Sequence, residues 1–296
     1  MDTDVSSKWM EADWARIRRG ISLQNASEQV AAKAVYQGGE ALVERALGSS
    51  WMLPKTLDEI IVAGIQSLSG SLIRLLPAQE VMISVLTALQ QRRGFSLLRL
   101  GDGELLTLAQ QTVLTDAEVR AAGGHFLGYA GVQLPDYGAR DQLVQAVQQT
   151  DGVGIPTHRG STFQLLFVQL ARVYGWPLET IWLTSSVINY ALAETTTFYQ
   201  QLFQNWRVVL LGNRMAELAQ QFRAAGVHSI VASFPVAGVS SIELVMHQLA
   251  TIDYDVALVS AGVAASILCP RIRATGKVAL DFGHMADQLI REKRVF

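Results

Sequence analysis

Asp102 and Glu104 stand two residues apart in Gly101-Asp102-Gly103-Glu104, directly after an apolar run and directly before a helix-like stretch. Their oxygen donors suit a hard divalent cation, Mn2+ or Mg2+, which keeps coordination positions open for phosphate oxygens. In an extended turn, residues i and i+2 point the same way, about 6–7 Å apart along the chain. Both carboxylates then approach one ion, directly or through water. Gly101 and Gly103 lack the Cβ atoms that would obstruct a diphosphate. The cation would neutralise charge developing on a departing phosphate. A structural alternative stays open: Asp102 caps the helix and Glu104 favours its first turn through the helix dipole. A dinucleotide fingerprint does not fit, because Leu106 stands where its third glycine belongs and no clear acidic ribose partner follows. Two carboxylates at a helix N-terminus would also repel a bare pyrophosphate.

Other groups fall at comparable places. Asp281, Gly283 and His284 follow the last expected strand, where Asp281 or His284 could take the proton of an attacking hydroxyl or hold a donor. Their alternative is a cap on the final helix. His158 and Arg159 follow another strand, and the Arg159 guanidinium suits phosphate in a fork geometry. Gly212, Asn213 and Arg214 end a strand and open a helix, either an anion or ribose site or an ordinary helix start. Glu243 and His247, four apart on one helical face, read as a surface pair because no third ligand accompanies them. Trp176, Trp182, Tyr190, Phe198 and Tyr199 offer one stacking partner for a base, the others being core. Cys269, the single cysteine, lies in the run Ala264-Ala265-Ser266-Ile267-Leu268 and reads as a core filler.

The elements that position these groups change character near residue 94. Before it the patterns are helical, over 8–19, 28–47, 57–76 and 78–92, with breaks at Gly48-Ser49-Ser50, Pro54 and Pro77. After it, apolar strand patterns at 95–100, 152–155, 180–183, 207–211, 229–232, 256–260 and 277–280 alternate with helical stretches at 141–149, 161–173, 215–224, 242–249 and 264–272. Such alternation predicts an α/β fold: a Rossmann-like, mostly parallel sheet with flanking helices, behind an N-terminal helical extension. The domain reading is 1–76 for the extension and 77–296 for the catalytic domain. Open parallel sheets bind ligands beyond the carboxyl ends of their strands, where the groups at 101–104, 158–159, 212–214 and 281–284 fall.

Half of the 296 residues are apolar and 17% are charged, so a large core is expected and global disorder is not. A net charge of −2 provides no basic field for nucleic acid. One cysteine fits a reducing cytoplasm. No signal peptide is visible in the first twenty residues. The stretch 60–76 is interrupted by Gln66, three serines and Arg74, so it reads as a packed or interfacial helix rather than a span.

The segment Arg99-Leu100-Gly101-Asp102-Gly103-Glu104 strongly resembles the R-F-G-D-G-E motif of the GT-D fold glycosyltransferases. Tyr254-Asp255-Val256-Ala257-Leu258-Val259-Ser260-Ala261-Gly262 resembles that family's late strand and glycine turn. Lys277-Val278-Ala279-Leu280-Asp281-Phe282-Gly283-His284 resembles its closing strand and turn. The three fall in the same order and bracket residues 95–287. Two positions depart: Gly262-Val263-Ala264-Ala265 replaces a Gly-Pro-Thr-Ala-like turn, and the asparagine often seen after the proline of Phe234-Pro235 is missing. The resemblance implies a UDP-sugar donor, Mn2+ or Mg2+ at Asp102 and Glu104, and a glycan or glycoprotein acceptor in bacterial glycan building or protein glycosylation. Beside this, the places of the residues after the strands put Arg99, Gly101, Gly103, His158, Arg159, Gly212, Asn213 and Gly262 about the donor, with Asp281 and His284 near the chemistry. The expected setting is the cytoplasm or the inner face of the membrane, with the N-terminal helices serving membrane-surface docking, oligomerisation or acceptor recognition. Two rival functions share the same motif: another metal-assisted phosphoryl or nucleotidyl transferase, and a non-catalytic nucleotide-binding scaffold.

Overall fold

The computed structural model describes residues 26–158 and 163–296. The expected helix at 8–19 lies outside them, as does Arg159. The chain divides into two compact units at Leu72 and Ile73.

In the first unit, helices α1 (Ala26–Gly38), α2 (Glu40–Leu47) and α3 (Leu57–Ser67) precede a 3-10 turn, Ser69–Ser71. The single helix expected over 28–47 is broken, since Gly39 serves as the cap of α2. A capping box opens α3: Thr56 Oγ1 accepts from Glu59 N, and Glu59 Oε2 accepts from Thr56 N. The pattern expected to run to residue 76 stops at Ser67, where the serine- and glycine-rich stretch turns into the 3-10 segment. No described helix is long and apolar enough to cross a membrane.

The second unit carries all seven strands: β1 (Phe95–Arg99), β2 (Gly152–Ile155), β3 (Trp182–Ser185), β4 (Val208–Leu211), β5 (Ile230–Phe234), β6 (Val256–Val259) and β7 (Val278–Asp281). They form one sheet in the order β3-β2-β1-β7-β6-β4-β5, every pairing parallel. The strand expected at 180–183 begins two residues later, because Thr180 N and Ile181 N donate to Pro177 O in a preceding turn.

Alternation along each strand builds two cores. In β1, Leu98 belongs to one cluster, while Phe95 and Leu97 belong to the other; β6 divides likewise into Ala257 and Val259 against Val256 and Leu258. Both faces of a parallel strand are buried by crossover helices, which is why its sequence is continuously apolar. Each fully buried leucine contributes about 1.5–3 kcal/mol.

Helix α4 (Ala78–Gln90) leads into β1, and the helices that matter for the site follow strands: α5 (Asp102–Ala109), then α6 (Asp116–Gly123) and α7 (Tyr137–Gln149). After β2 comes α8 (Phe163–Val173), after β3 come α9 (Ile188–Thr195) and α10 (Phe198–Asn205), and after β4 comes α11 (Met215–Ala224). Helices α12 (Ile242–Leu249), α13 (Val263–Ala274) and α14 (Met285–Glu292) follow β5, β6 and β7. Cys269 sits fully buried in α13, as its sequence context suggests, and burial pushes its thiol well up. We expect the folded protein to be inert to a disulfide reagent such as DTNB at pH 8, with one thiol released promptly in denaturant. Rapid labelling of the native chain would contradict this packing.

Candidate active site

The strand order places β1, which opens the sheet's sequence, beside β7, which closes it. Strands β2 and β3 extend from one side of this pair, and β6, β4 and β5 from the other. That is the topological switch point, where an α/β sheet opens a crevice beyond its carboxyl ends. Both carboxylate-bearing turns, 101–104 and 281–284, emerge there on adjacent strands.

Helix α5 begins at Asp102 itself, with Gly101 as its N-cap. This overturns the extended reading of the turn. In a helix, residues i and i+2 do not face each other, and the two carboxylates part company. Asp102 is exposed, and its Oδ1 accepts from Gly103 N at 2.9 Å. Glu104 is half-buried and folds back, its Oε2 accepting from Gly101 N at 2.9 Å. The helix-start alternative thus describes Glu104 well, while Asp102 is left facing solvent. Gly103 is buried against Leu127 and Ala130 of the segment that follows α6.

Arg99 and Asp281 form the centre of the crevice floor. Arg99 Nη2 donates to Asp281 Oδ1 at 3.0 Å, and Nη1 donates to Ser186 O at 2.7 Å and to Asn189 Oδ1 at 3.2 Å. Asp281 Oδ1 also accepts from Gly283 N. Burial works against the charge on Arg99, and Asp281 outweighs it. Asp281 is 6% exposed. It therefore serves as the counter-ion of Arg99 and caps no helix, since the N-cap of α14 is His284.

Burial, with the Asp281 charge adding to it, pushes the Glu104 carboxyl up to about 7; the Arg99 charge and the Gly101 N–H oppose this. A carboxyl raised in the fold is stabilising when protonated, so its contribution is complete below about pH 4.5 and is lost as pH climbs through about 7. Glu104→Gln keeps an acceptor for Gly101 N and carries no charge. In chelator, we expect its melting temperature to match wild type at pH 4 and to exceed it at pH 8.5, by the equivalent of about 1–3 kcal/mol. A pH-independent difference in thermal melts would contradict the assignment.

A run of close contacts crosses the carboxyl edge from β4 to β1. A Cβ on Gly212 (φ +145°) would lie 2.1 Å from Ser260 O. Ser260 Oγ donates to Gly283 O at 2.6 Å. A Cβ on Gly283 (φ +55°) would lie 1.8 Å from Arg99 Nη2. Only glycine fits these two positions. On the other side of β1, Ser266 Oγ of α13 donates to Arg99 O. Gly262, exposed, lies against Ala130 O.

The remaining groups are arranged around this floor. His284 is exposed, with Nδ1 3.2 Å from Asp287 Oδ2; Asp287 Oδ1 accepts from Arg214 Nη1, and Arg214 also holds Glu217. The turn after β4, with exposed Asn213, is thus tied to the start of α14. His158 is exposed beyond β2. Trp176, Phe198 and Tyr199 are core, and Trp182 packs edge-on against Phe95. Glu243 pairs with Arg271 through two bonds, not with His247; a guanidinium from α13 offers a planar fork that the imidazole lacks. Sequence reading missed Ser186, Asn189, Ser260 and Ser266. Two cavities, of about 530 and 410 Å3, lie at the amino ends of the strands, beside Phe222 and Ser229 and beside Phe95 and Asp151. Tyr199 lines the first and Trp182 the second, and neither is lined by Asp102, Glu104, Asp281 or His284.

The donor set offered to a cation is oxygen only, which fits Mn2+ or Mg2+ and not a soft metal. Among the described residues no three His, Cys, Asp or Glu side chains converge on a metal position. The fit is therefore an open one: Asp102 would hold the ion directly, Glu104 through water or by keeping the turn in place, and phosphate oxygens and water would complete the shell.

A seven-stranded parallel sheet with acidic turns at its switch point defines a Rossmann-like α/β domain built to bind at its carboxyl edge. Residues 76–289 match the model of the GT-D fold-like domain, and the chain belongs to that family. Its fold is accordingly the α/β GT-D fold, preceded by N-terminal helices, as the motif resemblance implied. Among solved structures, "A New Glycosyltransferase (DUF1792) from Streptococcus sanguinis" is 16% identical, over 75% of this chain and 85% of that one, with a TM-score of 0.46. "The highly conserved domain of unknown function 1792 has a distinct glycosyltransferase fold" describes a second, 14% identical over 74% and 82%, TM-score 0.46. A selenomethionine-substituted structure of domain of unknown function 1792 is 15% identical over the same shares, TM-score 0.46. No curated protein matches the chain.

Proposed function

We propose that this protein is a metal-dependent glycosyltransferase that moves a sugar from a nucleoside diphosphate, UDP in the first instance, to a hydroxyl of a glycan or glycoprotein. The observation that carries the reading is the meeting of the 101–104 and 281–284 turns on adjacent strands, with Asp102 exposed at a helix N-terminus. A diphosphate is attracted to the N-terminus of α5 and repelled by Asp102, so a divalent cation is the piece that reconciles them. When bound, that cation would supply Lewis-acid stabilisation of the leaving diphosphate.

The chain's own residues do the rest. Asp102 holds the cation, and Glu104 locks the first turn of α5 through Gly101 N. Gly212, Asn213 and Gly262 line the same edge, where the backbone can approach a ribose or sugar closely. An inverting transfer needs a base for the acceptor hydroxyl. Asp281 is committed to Arg99, whereas His284 is exposed and its Nδ1 is oriented by Asp287, leaving Nε2 to face solvent. This favours His284 as the base.

The test is incubation with a panel of UDP-sugars, Mn2+ or Mg2+, and glycan or glycoprotein acceptors. Free UDP with a glycosylated product supports the reading. A phosphorylated or nucleotidylated acceptor, undiminished turnover in chelator, or nucleotide binding without any turnover would each overturn it.

A further inference from the structure

Asn189 was not among the groups that the sequence singled out, yet it is one of the few polar side chains buried in this half of the sheet, 2% exposed. It sits in the first turn of α9, which follows β3, two strands away from β1 in the sheet. Its carboxamide reaches both sides of the switch point. Oδ1 accepts from Arg99 Nη1 at 3.2 Å, at the end of β1, and Nδ2 donates to Phe282 O at 2.9 Å, just past the end of β7. The two roles fix the amide orientation, since a guanidinium only donates and a carbonyl only accepts.

We propose that Asn189 is a positioning residue: its amide clamps the Arg99 guanidinium and the 281–283 turn into one register, and so sets the floor on which the acidic turns stand. Arg99 needs such a clamp. Its Nε is buried without a hydrogen-bond partner, so the plane of the guanidinium is set by the Nη atoms alone. Asp281 holds Nη2, and Ser186 O and Asn189 hold Nη1. Gly283 N in turn bonds the same Asp281 oxygen that Arg99 holds. A rotated guanidinium would leave Asp281 without its partner and release the turn that carries His284. Of the common side chains of this size, only an amide accepts from Arg99 and donates to Phe282 O together. Aspartate loses the donor, and leucine fills the volume but loses both bonds.

The proposal rests on the transferase reading only for its effect on turnover, so the test has two parts. The first is the arginine side-chain NMR spectrum of 15N-labelled protein, with the Arg99 resonances assigned by their loss in Arg99→Lys. Wild type is expected to show separate, slowly exchanging Arg99 Nη signals. Asn189→Ala and Asn189→Leu are expected to collapse them by freeing rotation, in chains that still melt cooperatively. The second is UDP-sugar hydrolysis with Mn2+, where both variants are expected to lose at least tenfold in kcat with KM changed less than threefold.

Collapsed Arg99 signals support the clamp whether or not any sugar nucleotide is turned over, so failure of the transferase reading is seen separately. Wild-type Arg99 signals in Asn189→Leu would overturn the proposal, because the apolar side chain replaces packing and nothing else. Unchanged kcat in Asn189→Leu beside a turning-over wild type would overturn it equally. Should Asn189→Ala and Asn189→Leu both fail to fold, Asn189→Asp decides. This near-isosteric variant keeps an acceptor for Nη1 and loses the tie to Phe282 O, so unchanged Arg99 signals with unchanged kcat would refute the clamp.

Discussion

Asp102→Asn is expected to lower metal-supported sugar transfer or donor hydrolysis at least about 100-fold, with the melting temperature almost unchanged. The side chain is exposed, and its recorded bond, Oδ1 to Gly103 N, survives in the amide. What the variant loses is the anionic oxygen, and hard cations bind neutral amide oxygens far more weakly than carboxylates. Removing a group that stabilises a leaving diphosphate through a cation costs transition-state energy on the scale of an oxyanion-hole donor, about 3 kcal/mol or more. Glu104→Gln is expected to fall less, roughly 10- to 100-fold, because its capping bond persists and its contact with a cation is at best indirect. Steady-state rates measured across a Mn2+ titration check both. Wild-type activity in Asp102→Asn, or equal losses in the two variants, would remove the division of labour between them.

Gly283→Ala is expected to be among the most damaging small substitutions in the domain, at about 3–5 kcal/mol in urea unfolding. The backbone there has φ +55°, which costs an L-residue roughly 1–2 kcal/mol. The new methyl would also lie 1.8 Å from Arg99 Nη2, well inside any contact distance. Moving the guanidinium breaks a buried ion pair, and an uncompensated buried charge is worth about 3–5 kcal/mol. Gly276→Ala is the control: its φ is +83°, with nothing within 4 Å of the added atom. It should cost only about 1–2 kcal/mol. Equal losses in the two variants would mean that backbone strain alone is at work and that Gly283 does not press on Arg99.

Much of this architecture was legible in the chain. Buried parallel strands must be apolar on both faces, so β4, β6 and β7 stand out as short runs between helical patterns. Arg99 at the end of such a run, and Asp281 at the end of another, are each a charge that must find a partner in the interior. Pairing one with the other was within reach of that rule. The face of Asp102 and Glu104 was not, because Gly-x-Gly fits an extended turn as readily as a helix start, and one residue of phase decides which side chain is exposed. Asn189 was also hidden. Its place depends on how α9 lies across the strand ends, which no local pattern encodes. The start of β3 was misplaced for a related reason: Pro177 draws two β-branched residues, Thr180 and Ile181, into a turn that competes with the strand.

The neighbouring positions of β1 and β7 have a consequence for the order of assembly. Arg99 and Asp281 are separated by 182 residues, and no shorter route joins them. While the chain emerges from the ribosome, β1 and the turn after it are made first, and their partner Asp281 follows 182 residues after Arg99. Until it docks, the inner edge of β1 is unpaired and a cation is buried without its anion, so the intermediate is weakly stable and prone to strand exchange. Long loops of this kind also slow folding. The floor of the switch point therefore cannot be completed before β7 has been made and has docked, and a half-made domain lacks the pairing that fixes both acidic turns.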